Sequence, residues 1–172
     1  MNASIQSSII VDGYLSDDPP CHNMAETIIV RECRHGQVRV QFGNIIRVEG
    51  DVMVIPANNR LAGREGLDEK MQLAAGEELR ARCTEIAVER RKEGKQPCGV
   101  GEAVTTPGFN LPAEHLVHVV GPDCRRPNQD NFRRELLANS YNAMFEEISK
   151  IKSRETLVTP PLGMDVFAYP HR

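Results

Sequence analysis

Asn58 and Asp68 stand ten residues apart in the run Val54-Ile-Pro-Ala-Asn-Asn-Arg-Leu-Ala-Gly-Arg-Glu-Gly-Leu-Asp68. A strand, a glycine-containing loop and the first turn of a helix bring a carboxamide and a carboxylate so spaced to one place. The loop between them lies where a strand's carboxyl end meets a helix N-terminus, the usual seat for an anionic ligand in an α/β sheet. Each residue also has a plainer role. An acid in a first helical turn suits the helix dipole, and an Asn in a turn can bond its own backbone.

The elements that must position this pair follow from periodicity. Asp51-Val-Met-Val-Ile55 is short, apolar and bounded by polar residues, the pattern of a buried strand. From Leu67, the apolar positions Leu67, Met71, Ala74, Ala75, Leu79, Cys83 and Ile86 step by three or four, which predicts one helix ending at Gly94. Asp68 and Glu69 at its start and Arg90, Arg91 and Lys92 near its end agree with the dipole. Thr27–Arg31 and Gln37–Gln41 are predicted strands of a hairpin around His35-Gly36. Further strands are expected at Glu102–Thr106, His115–Val120 and Glu155–Thr159, and a second long helix from about Asn131 to Lys152. Strands alternating with helices imply an α/β sheet covered on both faces.

The 172 residues suit one domain. Residues 1–24, rich in Ser, Asp, Asn and Pro, are expected to form a flexible N-terminal tail before a domain over 25–172. A net charge of −3 gives no electrostatic footprint for nucleic acid or an anionic membrane. No apolar run approaches the ~20 residues of a membrane span. The five cysteines lack C-x-x-C spacing, which favours reduced thiols and a cytoplasmic setting, with an export signal in the tail left open. Cys33 with His35, or Cys21 with His22, does not make a zinc spacing, so no metal is expected.

Taken in order, Ala57-Asn58, Gly66-Leu67-Asp68, Leu73-Ala-Ala-Gly76, Gly101-Glu-Ala-Val-Thr-Thr-Pro-Gly108, Leu111-Pro-Ala113, His118-Val-Val-Gly-Pro122 and Val166-Phe-Ala-Tyr-Pro170 resemble a macrodomain from about Val38 to Pro170. The resemblance implies a three-layer α/β/α mixed sheet with a cleft for ADP-ribose or an ADP-ribosylated protein. It implies no metal or redox cofactor. Asp68 would orient or deprotonate the water that attacks the ribosyl carbon, and Asn58 would hold the ribose hydroxyls. Ligand contacts are implied at Asn44 and Ile45, and at Ala57, Gly63, Arg64, Gly66 and Leu67 in and around the first loop. The second loop would contribute Pro160, Leu162, Gly163, Met164, Asp165, Val166 and Phe167.

The chain departs from the family pattern at three points. Asn44 stands where an acid is usual, so its bond to an adenine amino group lacks charge assistance; the alternative is that it only shapes the turn after the strand. Glu65 interrupts the first glycine run, and Asp165 replaces a glycine in the second loop. Like charges about 4 Å apart cost about 1 kcal/mol in water and about 4 at an effective dielectric of 20, so an inward Asp165 would weaken diphosphate binding. The family's last helix and strand have no counterpart after Tyr169-Pro170. The first hairpin or another chain, including a second copy, would have to complete the sheet unless the chain is a piece of a longer one. Three activities fit this pattern: hydrolysis of mono-ADP-ribosyl or O-acyl-ADP-ribose bonds, non-catalytic recognition of the nucleotide, or a degenerate interaction scaffold.

Overall fold

β4 (Gly50–Ala57) shows how the sheet is buried on both sides. Met53, Ile55 and Ala57 face one core, Val52 and Val54 the other, and all five are fully buried. The computed structural model describes residues 5–12, 26–125, 132–152 and 154–170, with the backbone alone over 5–12. The remaining strands are β1 (Ile5–Asp12), β2 (Glu26–Cys33), β3 (Gly36–Gly43), β5 (Ala103–Pro107), β6 (Ala113–Val120) and β7 (Thr156–Thr159). Their order across the sheet is β2-β3-β1-β7-β4-β6-β5. The five inner strands pair in parallel, and the edge strands β2 and β5 run antiparallel to their neighbours.

Helices α1 (Gly66–Ala75) and α2 (Glu77–Lys92) cover one face through Leu67, Met71, Leu79, Cys83 and Ile86. Helix α3 (Arg133–Lys150) covers the other, packing Met144 and Ile148 with Ile151 against Val117 and Val119 of β6. The fold is therefore a three-layer α/β/α arrangement around a mixed sheet. No helix among the described residues is long and apolar enough to cross a membrane.

Two expectations are corrected. The stretch 1–24 is not all tail, because Ile5–Asp12 is a strand inside the sheet, between β3 and β7. Its polar residues masked the β-branched run Ile9-Ile10-Val11, and pairing on both edges overrides local composition. This strand, rather than the β2–β3 hairpin, fills the place beside β7. The single helix expected from Leu67 onward is two helices. They break at Gly76, whose φ is +95°, and a Cβ there would lie 2.6 Å from the Asn110 amide nitrogen. The loop bearing Asn110 thus passes too close for a continuous side-chain surface, and Asn110 donates its N–H to the Ala75 carbonyl (3.3 Å).

Polar residues also lie within the α1–α2 side of the core. His118 on β6 is fully buried, with Nε2 at 3.0 Å from Thr106 Oγ1. Burial lowers its pKa to about 4, so the ring is neutral near pH 7.

Candidate functional site

Asp68 sits in the first turn of α1 and is only 5% exposed. Its Oδ2 accepts from the Asn58 side-chain amide at 3.0 Å and from the Asn58 backbone N–H at 3.4 Å. Its Oδ1 accepts from Gln72 Nε2 at 3.1 Å, one helical turn on. Burial raises the carboxyl pKa to about 6, against the lowering effect of bonds from Gln72, Asn58 and the Gly63 backbone. The group is thus a carboxylate near neutral pH that still holds a proton strongly enough to act as a base.

Asn58 has two jobs at once. Its Oδ1 accepts from the backbone N–H groups of Arg60 (2.9 Å) and Ala62 (3.4 Å), which is the turn role open from sequence. Its Nδ2 reaches across the ten-residue loop to Asp68. Gln72, buried at 1% exposure, secures the same loop by donating to the Leu61 carbonyl at 3.3 Å. Gly63 makes room for it, since a Cβ there would come within 2.6 Å of Gln72 Cδ.

The opposite wall is the loop after β7. Leu162 donates its N–H to the Tyr141 hydroxyl (3.1 Å), Tyr169 to the Gly163 carbonyl (2.8 Å) and Ala168 to the Asp165 carbonyl (3.0 Å). Asp165 points inward. Its Oδ2 accepts the Leu67 N–H at the start of α1 at 2.8 Å, joining the two walls. Arg125 closes the rim by bonding both oxygens of Asp123 at 2.9 Å, pairing with Glu65 at 3.4 Å and lying 5.7 Å above the Phe167 ring.

Between these walls lies a cavity of about 400 Å³, within the range of small-ligand sites. Asn58, Gly66, Leu67, Asp68, Pro160, Gly163, Met164, Asp165, Val166 and Phe167 line it, as do Pro56, Glu65, Lys70 and Pro161, which the expected ligand contacts left out. The other expected contacts lie elsewhere. Asn44 caps the 3-10 turn Ile45–Arg47, its Oδ1 accepting from Ile46 N–H at 3.1 Å, and Ile45 is wholly in the core. Ala57 and Leu162 are core residues too, Gly63 packs on Gln72, and Arg64 is exposed. Gln72 was the residue missed with a legible signal, namely an amide four positions after Asp68 on one helix face. Arg125 carried none, since its partners Glu65 and Phe167 are distant in sequence.

Burial pushes the Cys83 thiol up to about 11 and Cys98 up to about 12, with Asp68 and Glu102 adding to the respective shifts. Among the described residues, no three His, Cys, Asp or Glu side chains cluster to hold a metal ion. The pair Cys21 and His22 lies outside the described residues.

Comparison with known proteins agrees with this architecture. A protein-ADP-ribose hydrolase of Staphylococcus aureus is 32% identical over 166 residues, covering 94% of this chain and 60% of that protein. An O-acetyl-ADP-ribose deacetylase of Cronobacter turicensis is 33% identical over 135 residues, covering 78% of this chain and 72% of that protein. The macrodomain of Oceanobacillus iheyensis, solved with ADP, superposes with a TM-score of 0.75 at 28% identity, over 86% of this chain and 74% of that one. The model of the Macro domain family matches residues 54–172, from the middle of β4 through both walls of the cleft, and the chain belongs to that family.

Proposed function

We propose that the cleft binds ADP-ribose and that the protein hydrolyses mono-ADP-ribosyl linkages on proteins, or the ester of O-acyl-ADP-ribose. The observation that carries this reading is the buried Asp68 carboxylate, with its pKa near 6, on the cavity wall beside Asn58. The names of the staphylococcal and Cronobacter relatives support the reaction class, and the ADP-bound neighbour supports the ligand class.

For an ester to a protein carboxylate, Asp68 takes a proton from water as the water oxygen bonds to the anomeric carbon of the distal ribose. The bond from that carbon to the protein carboxylate breaks, and the carboxylate departs with the bonding electrons. Asn58, Gln72 and the Gly63 backbone already supply about as many donors as the Asp68 carboxylate has lone-pair positions, so the water shares or displaces one of them, the Asn58 backbone bond being long at 3.4 Å. Gln72 and Asn58 keep the carboxylate oriented, and the amide of Asn58 is available to a ribose hydroxyl at the cavity wall.

The second reading is a non-catalytic ADP-ribose reader. It is favoured by the bonds that both Asp68 oxygens already make within the protein. Calorimetric titration with ADP-ribose, using AMP as the control, tests the ligand assignment common to both readings. Selective micromolar binding is expected. Folded protein that binds neither ligand would overturn both readings and leave the scaffold role.

A further inference from the structure

We infer that Asp165 sets the ligand specificity of this cleft, acting as a built-in competitor for the anionic diphosphate. The inference rests on the ADP-ribose reading above and concerns which ligands the site favours. Three observations carry it. First, Asp165, exposed overall, lines the cavity and turns its carboxylate to the start of α1, accepting the Leu67 N–H at 2.8 Å. Glu65, at the cap position of α1, makes no side-chain bond there, so the described cap is an anion supplied from the opposite loop.

Second, the carboxylate is wedged against the first loop. A Cβ on Gly66, whose φ is +66°, would lie 2.3 Å from Asp165 Oδ2 and 2.5 Å from Val166 Cγ2. Third, the same wall carries Asp68 and Glu65, the latter paired with Arg125 at 3.4 Å, and Lys70 is the cation among the lining residues. A phosphate approaching the start of α1 therefore meets a carboxylate already bonded to the backbone donor it would use, and two more nearby. Such a ligand must either displace Asp165 or bind beside it against like charge. Ligands that put a neutral group at this point face neither penalty.

Stability and affinity should respond to Asp165 in opposite directions, which separates this role from a merely structural one. Asp165→Asn keeps the size and an acceptor oxygen while removing the charge. Its melting temperature should fall by roughly 2–6 °C as the charged cap is lost. Its affinity for ADP-ribose and for ADP should rise at least about tenfold, equivalent to about 1.4 kcal/mol. Adenosine, which has no phosphate, should bind the variant and the wild type alike. Asp165→Gly serves as the second variant if the amide protein does not fold.

Calorimetry on the full chain with these three ligands decides the matter. Diphosphate binding by Asp165→Asn that is tighter than the wild type's supports the inference. If the wild type binds ADP-ribose and Asp165→Asn binds it equally or more weakly, Asp165 is structural and the inference fails alone. A gain confined to Asp165→Gly would assign the effect to bulk and overturn the charge argument. If no folded form binds ADP-ribose, the functional reading falls, and this inference with it.

Discussion

Asp68 and His118, both buried on the α1–α2 side of the sheet, should oppose each other in the pH dependence of stability below pH 7. Asp68 has its carboxyl pKa raised from 3.8 to about 6, principally by burial. The folded state therefore binds the proton more tightly than the unfolded state. Its stabilising share is complete below pH 3.8 and disappears as pH rises through 6. His118 has its pKa lowered from 6.5 to about 4, also by burial. Here the unfolded state binds the proton more tightly, so stability is lost as pH falls from 6.5 towards 4. Each shift is about two units, worth about 3 kcal/mol at 1.36 kcal/mol per unit. In the wild type these slopes largely cancel between pH 4 and 6.5. Substituting either residue should expose the other. Urea unfolding of Asp68→Asn should give a stability relative to wild type that rises by about 3 kcal/mol from pH 4 to pH 7. The corresponding difference for His118→Gln should fall by a similar amount. The amide variant also sets an N–H₂ group against the donors Asn58 and Gln72, a pH-independent cost of about 1–3 kcal/mol that shifts the curve without changing its slope. A difference curve for Asp68→Asn that stays flat within about 1 kcal/mol over this window would refute the buried, weakly ionised carboxyl on which the catalytic reading rests.

The remaining expectations concern the loop and its chemistry. If Asp68 is the base, kcat/KM should rise about tenfold per pH unit up to about pH 6 and level off above it, as a pH–rate profile would reveal. Gln72→Ala removes the largest hydrogen-bond stabilisation of the Asp68 carboxylate, so this acid limb should move to higher pH. The same variant should lose about 1–3 kcal/mol of stability in urea unfolding, because Asp68 Oδ1 and the Leu61 carbonyl lose a donor. Gly66→Ala must hold a Cβ at φ +66° and push Asp165 off Leu67; a loss of at least about 3 °C in melting temperature is expected, with a changed ADP-ribose affinity. Unchanged melting and binding would mean that the two loops are not locked together as described.

The positions of most strands and of α3 were legible because burial on both faces makes β4 and β6 short unbroken apolar runs, and one-sided burial gives α3 a period near 3.6. The break at Gly76 was hidden because the apolar stripe continues across it; what bends the chain there is Asn110, supplied by a distant loop. β1 was missed for a related reason, since its partners β3 and β7 are brought to it by topology. At the site, the spacing of Asn58 and Asp68 allowed them to converge and the family resemblance supplied their expected roles; their side chains do meet. The inward turn of Asp165 was not readable. Either orientation suits the sequence Gly163-Met-Asp-Val166, and the choice is made by the Leu67 N–H, 98 residues away. Asn44 spends its carboxamide oxygen on the nearest backbone donor, Ile46, the turn role that the sequence left open.

The most direct test of the hydrolase reading is single-turnover release of ADP-ribose from a mono-ADP-ribosylated protein, and from O-acetyl-ADP-ribose, by wild type and Asp68→Asn at pH 7.5. ADP-ribose affinity should be measured for both proteins alongside. The expected result is turnover of at least one substrate by the wild type, and a fall of at least about 100-fold in the variant while ADP-ribose binding is retained. Equal turnover by the two proteins would contradict the role given to Asp68, and binding without turnover of either substrate by the wild type would make the protein a reader rather than a hydrolase.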